Sequence, residues 1–127
     1  MPDCLVLRVP DCLVLVVDDD ETIRATVSET LDLEGYPVRL AADGVEALRS
    51  VEETPPGLIL LDMRMPVLDG WGVARGLAER GLAPHILVMS AAADARRWAR
   101  EIGASDVLAK PFEIDELISL VERYCQP

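Results

Sequence analysis

Short apolar runs alternate with helix-like segments along this chain of 127 residues. The runs cover residues 12–17, 38–41, 58–61, 85–89 and, more weakly, 107–109. Each run is apolar at nearly every position, which is typical of strands that are buried on both faces of a parallel sheet. The sequence therefore predicts an α/β fold rather than a helical bundle or an all-β sandwich.

A helical pattern follows each run. In the first, Ile23, Val27 and Leu31 recur every four residues, and Gly35 ends the helix. The other helices are predicted at about residues 45–52, 71–80, 94–102 and 114–121. Five βα units predict a doubly wound parallel sheet with helices on both faces, and the flavodoxin-like strand order 2-1-3-4-5 suits five strands.

The composition suits one globular domain. Half of the residues are apolar, and the net charge is −11 from 23 acidic and 12 basic residues. This balance argues against nucleic-acid binding through a basic face. No apolar run approaches the roughly 18 residues that span a membrane, and the first residues lack the pattern of a secretory signal. We expect a cytoplasmic protein without nucleic-acid or membrane partners.

Three cysteines, Cys4, Cys12 and Cys125, are spread over the chain. Their odd count, the absence of a C-x-x-C motif and the single histidine, His85, argue against a zinc site and against a disulfide framework. We expect a reducing compartment, with the cysteines acting as small apolar side chains.

The start of the chain is nearly duplicated. Residues 2–9 and 10–17 differ at one position, which is Arg8 in the first copy and Val16 in the second. The second copy leads into an acidic cluster and is the predicted first strand. We interpret residues 1–11 as an N-terminal extension and residues 12–127 as the domain. We favour a loosely ordered, duplicated start over a spare strand that pairs with a sheet edge or a second molecule.

Polar side chains follow four of the predicted strands. They are Asp18, Asp19 and Asp20 after the first strand, Asp62 after the third, Ser90 (followed by Ala91) after the fourth, and Lys110 (followed by Pro111) after the fifth. Singly, such residues are more often helix caps, loop residues or surface charges. Because the carboxyl ends of parallel strands meet at one edge, however, the whole set is expected to converge there.

The residue types predict phosphoryl chemistry. Clustered carboxylates repel one another, so that one takes up a proton or the group takes up a cation. Oxygen ligands without His or Cys favour Mg²⁺ or Mn²⁺, and Mg²⁺ is usually held by one or two carboxylates together with phosphate. Lys110 on the opposite side would complete a clamp for in-line transfer of a phosphoryl group onto Asp62.

Four segments, residues 13–20, 60–70, 88–91 and 109–112, resemble the receiver domain of bacterial two-component response regulators. The resemblance covers residues 12–124, and it is to the stand-alone, chemotaxis-type regulators, since no output domain follows. Met1 and the lack of a C-terminal linker favour an intact protein. A receiver domain excised from a hybrid histidine kinase or a longer regulator stays open as an alternative.

The resemblance implies a role for each residue of the metal site. Asp62 would be the phosphoacceptor, giving an aspartyl phosphate, and would also bind Mg²⁺ (or Mn²⁺). The other metal ligands would be Asp19 and the backbone carbonyl of Arg64, with Asp18 acting through metal-bound water.

The resemblance also implies how the phosphoryl group is held and read. Ser90, Lys110 and the Ala91 amide would bind it, and the peptide bond between Lys110 and Pro111 would be cis. The donor would be a histidine kinase or a histidine phosphotransfer protein. Phosphorylation would re-pack the face of the fourth helix, fifth strand and fifth helix for an unidentified protein partner, in a monomer or weak dimer. Such a chain promotes only its own phosphorylation and dephosphorylation.

Two positions depart from the family pattern. Val107 stands where an aromatic residue usually rotates inward, so that this relay is absent. Arg64 lies at a position that modulates dephosphorylation in the family, and its cation could hold the phosphoryl group or screen water.

Three other readings are weaker. A haloacid-dehalogenase-like phosphatase would need a second aspartate where Arg64 stands. A phosphorylation-independent binding module would not need the acids, Ser90 and Lys110. Gly70, Gly72 and Gly76 do not follow a strand as a dinucleotide-binding loop should.

Overall fold

Strands and helices alternate throughout the computed structural model, which describes residues 12–125. In chain order they are β1 Val14–Val17, α1 Glu21–Leu33, β2 Val38–Ala41, α2 Gly44–Glu53, β3 Leu58–Asp62, α3 Gly70–Glu79, β4 His85–Ser90, α4 Ala95–Ile102, β5 Asp106–Ala109 and α5 Ile114–Tyr124. The strands form one sheet in the order β2-β1-β3-β4-β5, and each neighbouring pair is parallel. The predicted fold class and strand order are confirmed. The predicted N-terminal extension lies outside the described residues.

Apolar strands at the centre of the sheet separate two cores. On one face, α1 and α5 cover the sheet, and on the other face α2, α3 and α4 cover it. All residues of β1 and β3 are buried, which explains why these runs lack polar positions. Among residues 12–125, no helix is both long enough and apolar enough to cross a bilayer.

Backbone register aligns the strand ends that carry polar residues. Asp62, the last residue of β3, is paired with Met89, and Ser90 at the end of β4 is paired with Ala109. Lys110 follows Ala109 directly, and its amide donates a hydrogen bond to the Ser90 carbonyl (2.9 Å). The register therefore brings the ends of β3, β4 and β5 to the same edge.

Asp20 is the N-cap of α1. Its carboxylate accepts hydrogen bonds from the amides of Thr22 (2.8 Å) and Ile23 (3.4 Å), which satisfies donors that a helix N-terminus otherwise leaves free. Asp19 and Asp20 could each have capped this helix. Because Asp20 does so, the side chain of Asp19 can join Asp18 and Asp62.

A disulfide joins Cys12 to Cys125, contrary to the expectation of unpaired cysteines. The two Cα atoms are 5.7 Å apart although 113 positions separate them in sequence. They meet because α5 runs antiparallel to the strands, so that it ends at the edge where β1 begins. Spacing in the sequence cannot reveal such a pair, since it depends on the completed fold.

Removing this cross-link is expected to lower the free energy of unfolding. A loop of this length loses much of its unfolded-state freedom when it is closed, and native disulfides typically contribute about 2–4 kcal/mol. Urea unfolding of the oxidised protein, with and without a thiol reductant, measures the effect. The variant Cys12→Ser/Cys125→Ser should match the reduced protein and ignore the reductant. Equal unfolding midpoints for the oxidised and reduced protein would contradict the expectation.

Candidate functional site

Three carboxylates converge at the carboxyl edge of the sheet. Oxygen atoms of Asp18, Asp19 and Asp62 all lie within 4.8 Å of one another. Asp18 and Asp19 follow β1, and Asp62 ends β3, the neighbouring strand. The structure therefore brings together the acidic residues that the sequence placed at this edge.

Asp18 is fully buried, and its charge is compensated by Lys110. The Nζ atom of Lys110 lies 2.6 Å from one Asp18 oxygen, and the Asp20 amide donates to the other oxygen (2.9 Å). Arg24 also fixes this segment, because its guanidinium donates to the Asp18 carbonyl (2.8 Å). An unpaired charge at such a position would cost much free energy. The positive charge of Lys110 is therefore needed to keep Asp18 ionised and buried.

Asp62 is less well compensated. Its side chain is buried, and burial is the main cause that raises the pKa of its carboxyl group from 3.8 to about 6. The positive charge of Lys110 lowers this pKa, Asp18 raises it, the Arg64 amide lowers it and Asp19 raises it. The Arg64 amide lies 3.4 Å from the Asp62 carboxylate, which makes that hydrogen bond long. Near neutral pH the site therefore holds a negative charge that the fold only partly offsets.

Gly70 keeps the loop after Asp62 close to the site. A Cβ atom at this position would lie 2.5 Å from the Met63 sulfur and 3.1 Å from the Asp62 carbonyl oxygen. The amide of Gly70 donates to the Met63 carbonyl (2.9 Å). A larger residue would therefore push the loop away from the phosphoacceptor candidate.

Ser90 and Lys110 mark the other wall of the site. The hydroxyl of Ser90, which is 7% exposed, accepts a hydrogen bond from the Ala92 amide (3.0 Å). Ala91 lies between Ser90 and Ala92 in the sequence and is exposed. The peptide bond between Lys110 and Pro111 is cis, as the resemblance implies.

The donor set fits a hard divalent cation. The three acidic residues supply oxygen ligands only, with no His or Cys among them, which suits Mg²⁺ or Mn²⁺. Burial is the main cause of the raised pKa of Asp62, and the neighbouring charges of Asp18 and Asp19 add to it. A cation at this position would offset the repulsion that Lys110 leaves uncompensated.

The Arg64 side chain reaches towards α4. Its Cζ atom lies 5.0 Å from the centroid of the Trp98 ring, a contact that sequence spacing could not indicate. Val107, on β5, is half-buried and packs against the core beneath α4. The sequence did not indicate the role of Arg24, because no motif marks a side chain that donates to a backbone carbonyl.

A family model for the response regulator receiver domain matches residues 14–122. The chain belongs to the response regulator receiver family. Two curated relatives from Mycobacterium leprae are similar to this receiver domain. The transcriptional regulatory protein PrrA is 44% identical over 107 residues, and the response regulator MprA is 41% identical over 106 residues. These matches cover 83% and 82% of this chain but only 46% of each relative, so the chain spans about half their length.

Solved structures show the same receiver architecture. The chemotaxis protein CheY4 of Vibrio cholerae is 32% identical, with a TM-score of 0.81, over 89% of this chain and 98% of that one. The receiver domain of NtrX from Brucella abortus is 31% identical, with a TM-score of 0.81, over 88% of this chain and 97% of that one. The family that the motifs indicated is thereby confirmed.

The pKa of Asp62 predicts a pH-dependent stability for this receiver domain. Because the folded-state pKa, about 6, exceeds the ordinary 3.8, the folded protein retains a proton that the unfolded chain loses between these values. Stability therefore falls as the pH rises through about 6. Asp62→Asn should be more stable than the parent at about pH 8, by up to about 3 kcal/mol, and the difference should close below about pH 4.

Urea unfolding in buffer free of divalent cations measures this difference. Asp32→Asn, which neutralises an exposed aspartate of α1, is the matched control and should show no such trend. A gap between Asp62→Asn and the parent that stays constant from low to high pH would contradict the assigned shift.

Proposed function

We propose that this receiver domain is the phospho-accepting part of a two-component, histidine–aspartate phosphorelay, with Asp62 as the phosphoacceptor. The observation that carries the proposal is the meeting of three carboxylates with Lys110 at the end of β3. A buried carboxylate that is short of positive charge is a group prepared to receive a phosphoryl group and its counter-cation. Family membership supports the same role.

The transfer step is an in-line displacement at phosphorus. A carboxylate oxygen of Asp62 forms a bond to the phosphorus atom while the donor's nitrogen–phosphorus bond breaks. The electron pair of the broken bond stays on the nitrogen of the donor histidine. Asp62 must be ionised to act in this way, and above pH 6 its assigned pKa satisfies that condition.

Asp19, Asp62 and the Arg64 carbonyl would hold Mg²⁺ (or Mn²⁺), with Asp18 acting through a water molecule. When bound, the cation supplies positive charge that offsets both the carboxylate repulsion and the incoming phosphoryl oxygens. The close approach of the Asp18, Asp19 and Asp62 oxygens supports this ligand set. The role of the Arg64 carbonyl rests on the resemblance.

Lys110 and Ser90 would bind the phosphoryl oxygens, together with the Ala91 amide. In the described state, Lys110 bonds Asp18 and Ser90 accepts from Ala92. A phosphoryl group brings nearly two negative charges and three strong acceptors, which would draw both side chains away from these partners. Ser90 ends β4, just before the loop to α4, and Lys110 directly follows β5 and leads towards α5, so the displacement would reach the face formed by α4, β5 and α5.

The proposed donor is a histidine kinase or a histidine phosphotransfer protein, and the proposed compartment is the cytoplasm. We propose that the domain acts as a signalling switch and phosphoacceptor, without turning over a foreign substrate, and that it works as a monomer or weak dimer.

The Cys12–Cys125 bond is unusual for a reducing compartment. At 8% and 2% exposure, however, these residues offer little access for thiol exchange. The domain boundary at residue 12 stays a prediction.

Acetyl phosphate with Mg²⁺ should add one phosphoryl group to the protein, and Asp62→Asn should abolish the addition. The reason is that Asp62 supplies the attacking oxygen. Intact-protein mass spectrometry measures the product, and its hydroxylamine lability identifies an acyl phosphate. Asp32→Asn is again the control and should react like the parent. A parent protein that stays unmodified would favour a binding module that works without phosphorylation.

Mg²⁺ should stabilise the parent protein against urea, and Asp19→Asn should lose most of this gain. A ligand that binds only the folded state adds about 2.7 kcal/mol when its concentration is one hundred times the dissociation constant. Asp19 is the exposed member of the acidic cluster, so its substitution should disturb the fold least. An equal gain in Asp19→Asn and the parent would place the cation elsewhere.

A further inference from the structure

Arg64 has an aromatic partner next to the phosphoacceptor. Its side chain is exposed and its Cζ atom lies 5.0 Å from the centroid of the Trp98 ring, within the range of a cation–π contact. Among residues 12–125, no ion pair includes the Arg64 guanidinium. The ring is therefore the partner that determines where this cation rests.

Trp98 is held firmly, whereas Arg64 is free to leave. The indole of Trp98 is 5% exposed and meets Trp71 of α3 edge-on, with ring centroids 5.2 Å apart. Trp71 in turn donates from Nε1 to Glu101 of α4 (2.9 Å). These contacts tie α3 to α4 around Trp98, so that a change in the Arg64–Trp98 contact moves the arginine and not the ring.

The root of the Arg64 side chain is fixed close to Asp62. The Arg64 amide lies 3.4 Å from the Asp62 carboxylate, only two positions along the chain. A phosphoryl group on Asp62 would present charged oxygens to a cation that otherwise faces only an aromatic ring. Charge-assisted, bidentate bonds from arginine to phosphate are stronger than a cation–π contact near solvent.

We propose that Trp98 is a positioning residue for Arg64. In the unphosphorylated protein, the indole holds the guanidinium on the α4 side of the site. When Asp62 is phosphorylated, the guanidinium leaves the indole and pairs with the phosphoryl oxygens. This inference rests on the proposed function and adds a link from the phosphoryl group to α4, which Val107 cannot supply through an aromatic rotation.

The free protein tests the resting contact without any ligand. The indole N–H signals of Trp71 and Trp98 can be assigned by NMR from the variants Trp71→Phe and Trp98→Phe. Arg64→Met should shift the Trp98 signal, because it removes the cation over the ring. Arg49→Met removes an equal charge from an exposed site on α2 and should leave the signal in place. A Trp98 signal that is the same in Arg64→Met and the parent would overturn the proposal.

Beryllofluoride with Mg²⁺, a stand-in for the phosphoryl group, tests the transfer of Arg64. Fluorine NMR detects its binding independently of tryptophan. Trp98→Leu should bind it about two- to five-fold more tightly than the parent, since Arg64 no longer has to leave an aromatic ring. Trp98→Phe, which keeps a ring, should bind it nearly as the parent does. In the Arg64→Met background, Trp98→Leu should have no effect on affinity.

The outcomes separate this proposal from the proposed function. If beryllofluoride binds but Trp98→Leu changes the affinity equally with and without Arg64→Met, then Trp98 acts through packing alone and the positioning role is wrong. The same conclusion follows if beryllofluoride shifts the Trp98 signal equally in Arg64→Met and the parent. If the parent binds no beryllofluoride, the proposed function fails and this inference fails with it.

Discussion

The burial of neighbouring carboxylates at one edge of a parallel sheet is the constraint on which the rest of this structure depends. Asp18 is buried without exposure to solvent and is tolerated because Lys110 lies 2.6 Å away. That single lysine only partly compensates Asp62, because burial, with Asp18 and Asp19, raises the pKa of Asp62 to about 6. The fold therefore keeps a site that is short of positive charge, and a cation or a rearrangement of Lys110 relieves it.

Chain direction made much of this site predictable from the sequence. In a parallel sheet, every strand delivers the residue after its last apolar position to the same edge. Asp18, Asp62, Ser90 and Lys110 could thus be grouped without knowledge of any side-chain contact. The apolar runs fixed the strands for the same reason, because burial on both faces leaves no room for polar positions.

Some features could not be predicted from the sequence. They depend on contacts between residues that are distant in sequence, or on a choice between equivalent neighbouring residues. Cys12 and Cys125 are 113 positions apart and meet only because α5 returns to the edge where β1 begins. Asp19 and Asp20 share the same capping preference, and the sequence alone does not show that Asp20 is the cap of α1. β1 begins at Val14 and not at the start of its apolar run.

The helices are held differently at the two ends of the strands. Within residues 12–125, the amino-terminal end is cross-linked, whereas the carboxyl-terminal end, which carries Asp62, is not. At the far edge, the Cys12–Cys125 bond joins the start of β1 to the end of α5. At the site edge, α4 spans only eight residues, and Asp94 at its N-terminus makes no side-chain capping bond. Because Ser90 ends the strand that leads into α4, phosphorylation of Asp62 would act first on this helix. Under the proposed function, the displacement would spread over the face formed by α4, β5 and α5 from the site edge, and would leave the cross-linked end of α5 in place.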